Sequence, residues 1–194
     1  MKRIMVSAAL LLTQAAAMAD DPLAFASGSW YDPGRDGEGF VVQLLPDQQA
    51  VVTWFTYPPE GADGEQAWMI GSGVQDGNRI VIAEMTRPTG AVFGADFDPG
   101  TVRRNPWGSL EIAFEDCATA TASWDGPDAF GDGSMDLVRL TSIDDIECDD
   151  AVTPEPDRVI AGRSGAWYDP SHDGEGWMLE MQPDGNMVVY WFTF

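Results

Sequence analysis

Residues 27–39 read Ser27-Gly28-Ser29-Trp30-Tyr31-Asp32-Pro33-Gly34-Arg35-Asp36-Gly37-Glu38-Gly39 and lead on to Trp54-Phe55-Thr56-Tyr57; the same phrase returns at Ser164 and runs to Phe194. Aligned without a gap at an offset of 137 positions, 17 of 31 residues are identical, among them Trp30/Trp167, Asp32/Asp169, Gly37/Gly174, Glu38/Glu175, Gly39/Gly176 and Trp54/Trp191. Identity at that density marks a duplication. A period this long exceeds the 20–50 residues of solenoid repeats and suits small domains repeated in tandem. The second copy reaches Phe194 inside what its twin reads as an apolar strand, so residues 164–194 are expected to be the first three strands of a truncated second repeat.

The first copy supplies the strand pattern. Trp30 and Tyr31 open a short strand that Asp32-Pro33-Gly34 must break, and Asp36-Gly37 carries hairpin-turn chemistry. Phe40, Val42 and Leu44 alternate on one face of the next run. After Pro46-Asp47 comes Ala50 to Tyr57, rich in β-branched and aromatic residues. Further strands are expected at Gln66 to Ser72, Arg79 to Met85, Gly108 to Glu115, Ala118 to Trp124 and Asp136 to Leu140, with Phe93 and Phe97 tucking a long loop against the core. Eight short strands at roughly 8–14-residue spacing, with no amphipathic helix, predict an all-β, antiparallel up-and-down eight-stranded barrel; a two-layer β-sandwich is the alternative, since periodicity does not separate the two. The expected organisation is a signal peptide at 1–19, a complete β domain at 27–141, an acidic, proline-containing linker at 142–163 and the second repeat at 164–194.

Met1-Lys2-Arg3, the apolar run Ile4 to Leu12 and Ala17-Met18-Ala19 follow the pattern of a secretory signal peptide cleaved near Ala19. The product is therefore expected to be secreted, periplasmic or extracellular. Without residues 1–19 the chain keeps 8 basic and 32 acidic side chains and no lysine, a formal charge of −24. Such a surface repels nucleic acid and anionic membranes, which are set aside as partners. Solubility, a salty medium and cation binding through oxygen ligands are the readings left. The two cysteines, Cys117 and Cys148, point in an exported chain to one disulfide, closing a loop of about thirty residues and contributing roughly 3–4 kcal/mol; two unpaired thiols are the alternative.

The repeated polar block can be read three ways. As structure, Trp30 and Trp54 fill a core, Asp32 caps the turn before Pro33, and Gly37 and Gly39 supply a positive φ or a bulge. As a metal site, Asp32, Asp36 and Glu38, with Asp169, Asp173 and Glu175 in the second copy, offer three carboxylates within seven residues that calcium would accept, although not at EF-hand spacing. As an acid/base pair, Asp36 and Glu38 could stand about 6–8 Å apart in an extended segment, close to the separation of inverting glycosidases. The only histidine is His172, and Arg35 stands at the matching position, so histidine chemistry is no part of the repeated plan. Ser-His-Asp, Cys-His and phosphate-loop arrangements are absent from the sequence.

Eight tryptophans are more than small cores need. Trp68 and Trp107, beside loops, together with Trp30, are the candidate contacts for a glycan or small apolar ligand, because indole rings stack on sugars and cover apolar groups; core packing is the competing role for all of them. Gly28-x-Trp30-Tyr31-x-Pro33, Gly37-x-Gly39, Trp54-Phe55-Thr56-Tyr57 and Gly64 leading to Ala67-Trp68 resemble the tandem "G-x-W-Y-x-P … G-x-G … W-F-T-Y" domains of exported proteobacterial proteins over residues 27–73 and again over 164–194. The resemblance implies a secreted β domain and no reaction. The expected function is thus that of a secreted, non-catalytic binding or scaffolding module without a required cofactor. A calcium-stabilised structural or adhesion module and a glycosidase-like enzyme are the alternatives, and the oligomeric state is left open.

Overall fold

The structure, a computed structural model, describes residues 23–59, 66–143, 163–172 and 174–194. Eight strands form a closed antiparallel barrel: β1 Gly28–Tyr31, β2 Gly39–Leu45, β3 Gln49–Thr56, β4 Ala67–Asp76, β5 Arg79–Thr89, β6 Arg103–Phe114, β7 Thr119–Asp125 and β8 Asp132–Arg139. Each pairs with its sequence neighbours, and Trp30↔Arg139 and Tyr31↔Val138 join β1 to β8. Closure leaves no free edge in this sheet, and it decides between barrel and sandwich in favour of the barrel. Among the described residues no helix is long and apolar enough to cross a membrane.

Alternation along the strands sends Trp30, Phe40, Val42, Val52, Trp54, Met69, Ile80, Ile82, Leu110, Ile112 and Leu137 into one core. Trp54 stacks on Phe40 at 5.1 Å and meets Trp107 edge-on at 5.2 Å and Trp124 at 4.9 Å. One mouth is closed by Leu23 and by the 3-10 turn Ala24–Ala26, whose Phe25 packs edge-on against Phe114. That segment is held in place because Leu23 and Ala26 are buried and Ala26 C=O accepts the Trp30 indole N–H at 2.9 Å. Phe130 packs on Trp107 at 5.5 Å, in the loop between β7 and β8.

β5 and β6 outrun the sequence expectation. Thr86↔Pro106 through Thr89↔Arg103 form a ribbon beyond a register shift at Met85, so these residues face no common core and carry no period-2 signal. The loop that follows the ribbon does not tuck against the barrel core either. Phe93 lies 5.1 Å from Trp191, and Phe97 lies 5.0 Å from His172 and 6.2 Å from Phe194, all in the second copy.

The second copy contributes β9 Gly165–Trp167, β10 Gly176–Met181 and β11 Met187–Phe192, a three-stranded sheet in the order β11-β10-β9. It repeats the local hydrogen bonds of the first. Ser27 Oγ accepts Leu44 N–H at 3.1 Å as Ser164 Oγ accepts Met181 N–H at 3.0 Å, and the Trp30 indole bond to Ala26 has its counterpart in Trp167 to Arg163 C=O at 3.1 Å. Residues 144–162, most of the expected linker, and Cys148 lie outside the described residues; Cys117 sits in the turn between β6 and β7.

The sheet lies against the outer wall of β1–β4. Ser29, Val41 and Thr53 form an outward-facing row across three strands, yet all three are buried. Ser29 touches Glu180 and Tyr190, and Phe55 stacks on Tyr190 at 6.2 Å. Among the described residues the Thr53 hydroxyl in this row has no hydrogen-bond partner. A buried unpaired hydroxyl costs on the order of 1–3 kcal/mol. Thr53→Val, which keeps the shape and removes the hydroxyl, is expected to stabilise the protein by about 1 kcal/mol, read as a rise in thermal midpoint.

Candidate functional site

The loop between β1 and β2, repeated between β9 and β10, is a self-contained turn. Asp32 Oδ1 accepts Gly34 N–H at 2.8 Å, and Asp169 Oδ1 accepts Ser171 N–H at 2.8 Å and the Ser171 hydroxyl at 2.7 Å, which holds the Asp169 carboxyl below the usual aspartate range. Arg35 stands 3.6 Å from both Asp32 and Glu38, while the Glu175 carboxylate takes a short hydrogen bond from Thr193 Oγ1. The two glycines earn their place by geometry. Gly37 and Gly174 have φ of 85° and 102°, and a Cβ on Gly39 or Gly176 would lie 2.8 Å from the carbonyl oxygen of Trp30 or Trp167.

The expected calcium set does not assemble among the described residues. Asp32, Asp36 and Glu38 belong to no group of three carboxylate, histidine or cysteine side chains that could hold a metal ion. Asp32 is turned onto its own turn and onto Arg35, and of Asp36 the backbone carbonyl faces Tyr57 Oη at 3.5 Å. In the second copy Asp173 lies outside the described residues. As for an acid/base pair, Glu38 lines a cleft of about 360 Å³ with Tyr31, Leu140 and Tyr190, and Asp36 does not line it.

Of the three tryptophans expected to meet a ligand, two are placed in the core. Trp30 and Trp107 are 1% and 2% exposed, because β1 and β6 turn them inward and Phe114 and Trp54 close over them. Trp68 is different. It points outward from β4, half-buried, its indole N–H donating to Thr193 C=O at 3.2 Å and its ring 5.2 Å from Phe192 and 6.2 Å from Phe194.

Trp68 thereby lines a cleft of about 370 Å³ between the two copies. One wall is barrel, with Trp68, Ile70 and Arg104; the other is the second copy, with Trp167, Tyr168 and Glu175. Trp68 also lines a neighbouring cleft of about 340 Å³ with Trp191 and Phe194. Volumes of this order lie at the lower end of small-ligand sites. Aromatic faces on both walls, with one guanidinium and one carboxylate at hand, can stack on a flat ring and hydrogen-bond polar groups at its rim.

Sequence reading missed the opposing wall. Tyr168 and Phe192 were legible only as repeat residues, and the signal that could have found them is the apolar character of outward positions such as Val41, Phe55, Met178 and Phe192, which a solvated barrel exterior would make polar. No family model matches the chain, and neither a curated protein nor a solved structure matches it.

One ionisable group is sealed under the second sheet. Glu180 is 2% exposed; Ser29 Oγ donates to its Oε1 at 2.9 Å and Thr141 Oγ1 to its Oε2 at 2.6 Å. Burial raises the Glu180 carboxyl above its ordinary value, against those two hydrogen bonds and the charge of Arg139. An acid whose folded value is raised contributes stability that is complete below its unfolded value and lost as pH rises through the folded one. Docking of the second sheet is therefore expected to weaken across that window. Glu180→Gln, which places the amide found at the matching Gln43, should flatten the pH dependence of the thermal midpoint between mildly acidic and neutral pH; an unchanged slope would show that Glu180 does not set it.

Proposed function

We propose that the chain is an exported, non-catalytic β-repeat module that binds a glycan or a small apolar ligand in the aromatic cleft between the barrel and the second sheet. The observation that carries this reading is the placement of Trp68 opposite Trp167 and Tyr168 with Arg104 and Glu175 beside them. A sugar ring has apolar C–H faces that stack on indole and phenol rings and an equatorial belt of hydroxyls that charged side chains can hydrogen-bond. The barrel interior is filled by its own side chains, which leaves the seam as the seat for a ligand. A formal charge of −22 disfavours polyanions, so the ligand class is neutral or cationic.

The test is titration of tryptophan emission with neutral and amino-sugar oligosaccharides and with small apolar ligands. Binding should shift the emission. Tyr168→Ala, which removes a ring that is 68% exposed, should weaken binding about tenfold with an unchanged melting temperature. Silence across the panel, or full binding by the Tyr168 variant, removes the proposal.

A further inference from the structure

The two copies differ at four outward positions of the seam: Ser29, Val41, Gln43 and Thr53 have Ala166, Met178, Glu180 and Tyr190 as counterparts. Tyr31, Glu38 and Phe55, by contrast, recur unchanged as Tyr168, Glu175 and Phe192. All three line the cleft of about 360 Å³ beside the β1–β2 loop, and their three counterparts line the cleft of about 370 Å³ at Trp68. One repeated unit therefore walls a cleft in each copy.

The local geometry of the first copy builds this wall. The registers Trp30↔Phe40 and Gly39↔Phe55 set Tyr31, Gly39 and Phe55 in one outward row across β1, β2 and β3. With glycine in the middle, a trough runs between two aromatic rings. Strands about 4.8 Å apart place the two ring-bearing backbones about 10 Å from each other, room for one further ring at stacking distance from both. Gly37 and Gly39 leave Glu38 as the one side chain of its stretch, since a Cβ on Gly37 would collide with Tyr57 Oη. Arg35 holds the Glu38 carboxylate at 3.6 Å, and a carboxylate has acceptor sites to spare for a ligand hydroxyl. Tyr190, stacked on Phe55 at 6.2 Å, adds a phenol ring from the second copy to the same cleft.

We propose that the cleft of Tyr31, Glu38 and Phe55 is a second saccharide site, so that each copy of the repeated unit holds one part of a neutral or amino-sugar ligand. The proposal rests on the reading of the cleft at Trp68 for its ligand class, and on the first copy for its walls. A pyranose ring meets the chemistry. Its apolar C–H faces stack on the two rings, and a hydroxyl or an ammonium group donates to Glu38. An acidic sugar does not meet it, because Glu38 and a formal charge of −22 repel an anion. The carboxylate held in both copies selects a saccharide over a purely apolar ligand, which would strip Glu38 of water and give no hydrogen bond in return.

The experiment is amide NMR of the full chain titrated with cellobiose, maltose and the glucosamine disaccharide. The expected result is a saturable shift of the Gly37, Glu38 and Gly39 amides, alongside a separate shift at Gly174 and Glu175. Tyr31→Ala should weaken the first response about tenfold, the usual loss when an aromatic contact is truncated, while the second keeps its midpoint. Glu38→Ala, a change in an exposed loop, should do the same and decides the matter if the Tyr31 variant does not fold. Amides 37–39 that stay still with all three sugars, or that respond at wild-type midpoint in both variants, overturn the proposal. Shifts at 174 and 175 without shifts at 37–39 overturn it and leave the cleft at Trp68 standing. Shifts at 37–39 alone uphold it and remove that cleft, so the two readings fail separately.

Discussion

A β-sheet has two faces, and in the repeated three-strand unit of this chain both are apolar. One face holds Trp30, Phe40 and Trp54; the other holds Val41 and Phe55 with Ser29 and Thr53 between them. A unit with two such faces has to be covered twice. In the first copy β4–β8 cover the inner face by closing the barrel, and the second copy covers the outer one. In the second copy, among the described residues, the outer face is covered by the same contact seen from the other side. At about 25 cal/mol for each Å² of apolar surface removed from water, this two-sided demand is what places the two copies together.

The seam that results is mixed in character. Its centre carries a carboxylate, Glu180, held by two hydroxyls, while the matching position in the first copy is the neutral Gln43. Burying an ionisable group where the matching position is neutral makes the stability of the seam depend on pH, because burial raises the Glu180 carboxyl above its ordinary value. Toward the ends of the strands the two curved surfaces part, and the space between them is lined by whichever outward side chains stand there. That is how Trp68, an exterior residue of one copy, comes to face Tyr168, a loop residue of the other.

Much of this was legible in residue order. The strand positions followed from alternation in Phe40-Val41-Val42-Gln43-Leu44 and Leu110-Glu111-Ile112-Ala113-Phe114, and the turns from Asp36-Gly37 and Asp76-Gly77. The extended ribbon through Pro88 and Pro106 was not legible, because its residues share no common core face and so carry no hydrophobic period. Trp68 faces outward and Trp107 inward, although both stand beside loops: proximity to a loop does not say which way a side chain points, and Gly108, with φ of 132°, sits beside Trp107 at a register shift. Spacing counts the carboxylates of the repeated loop without their partners; in the structure Asp32 and Glu38 each stand 3.6 Å from Arg35.

The sequence by itself determined the duplication, the all-β character and the order of the eight strands, since each rests on local alternation and turn chemistry. Only the tertiary structure decided that the sheet closes, that the second copy lies on the outside of the first, and that an aromatic cleft opens between them. Those outcomes depend on which face of a two-sided apolar strand meets which partner, and alternation along a chain labels the two faces without saying what will cover either.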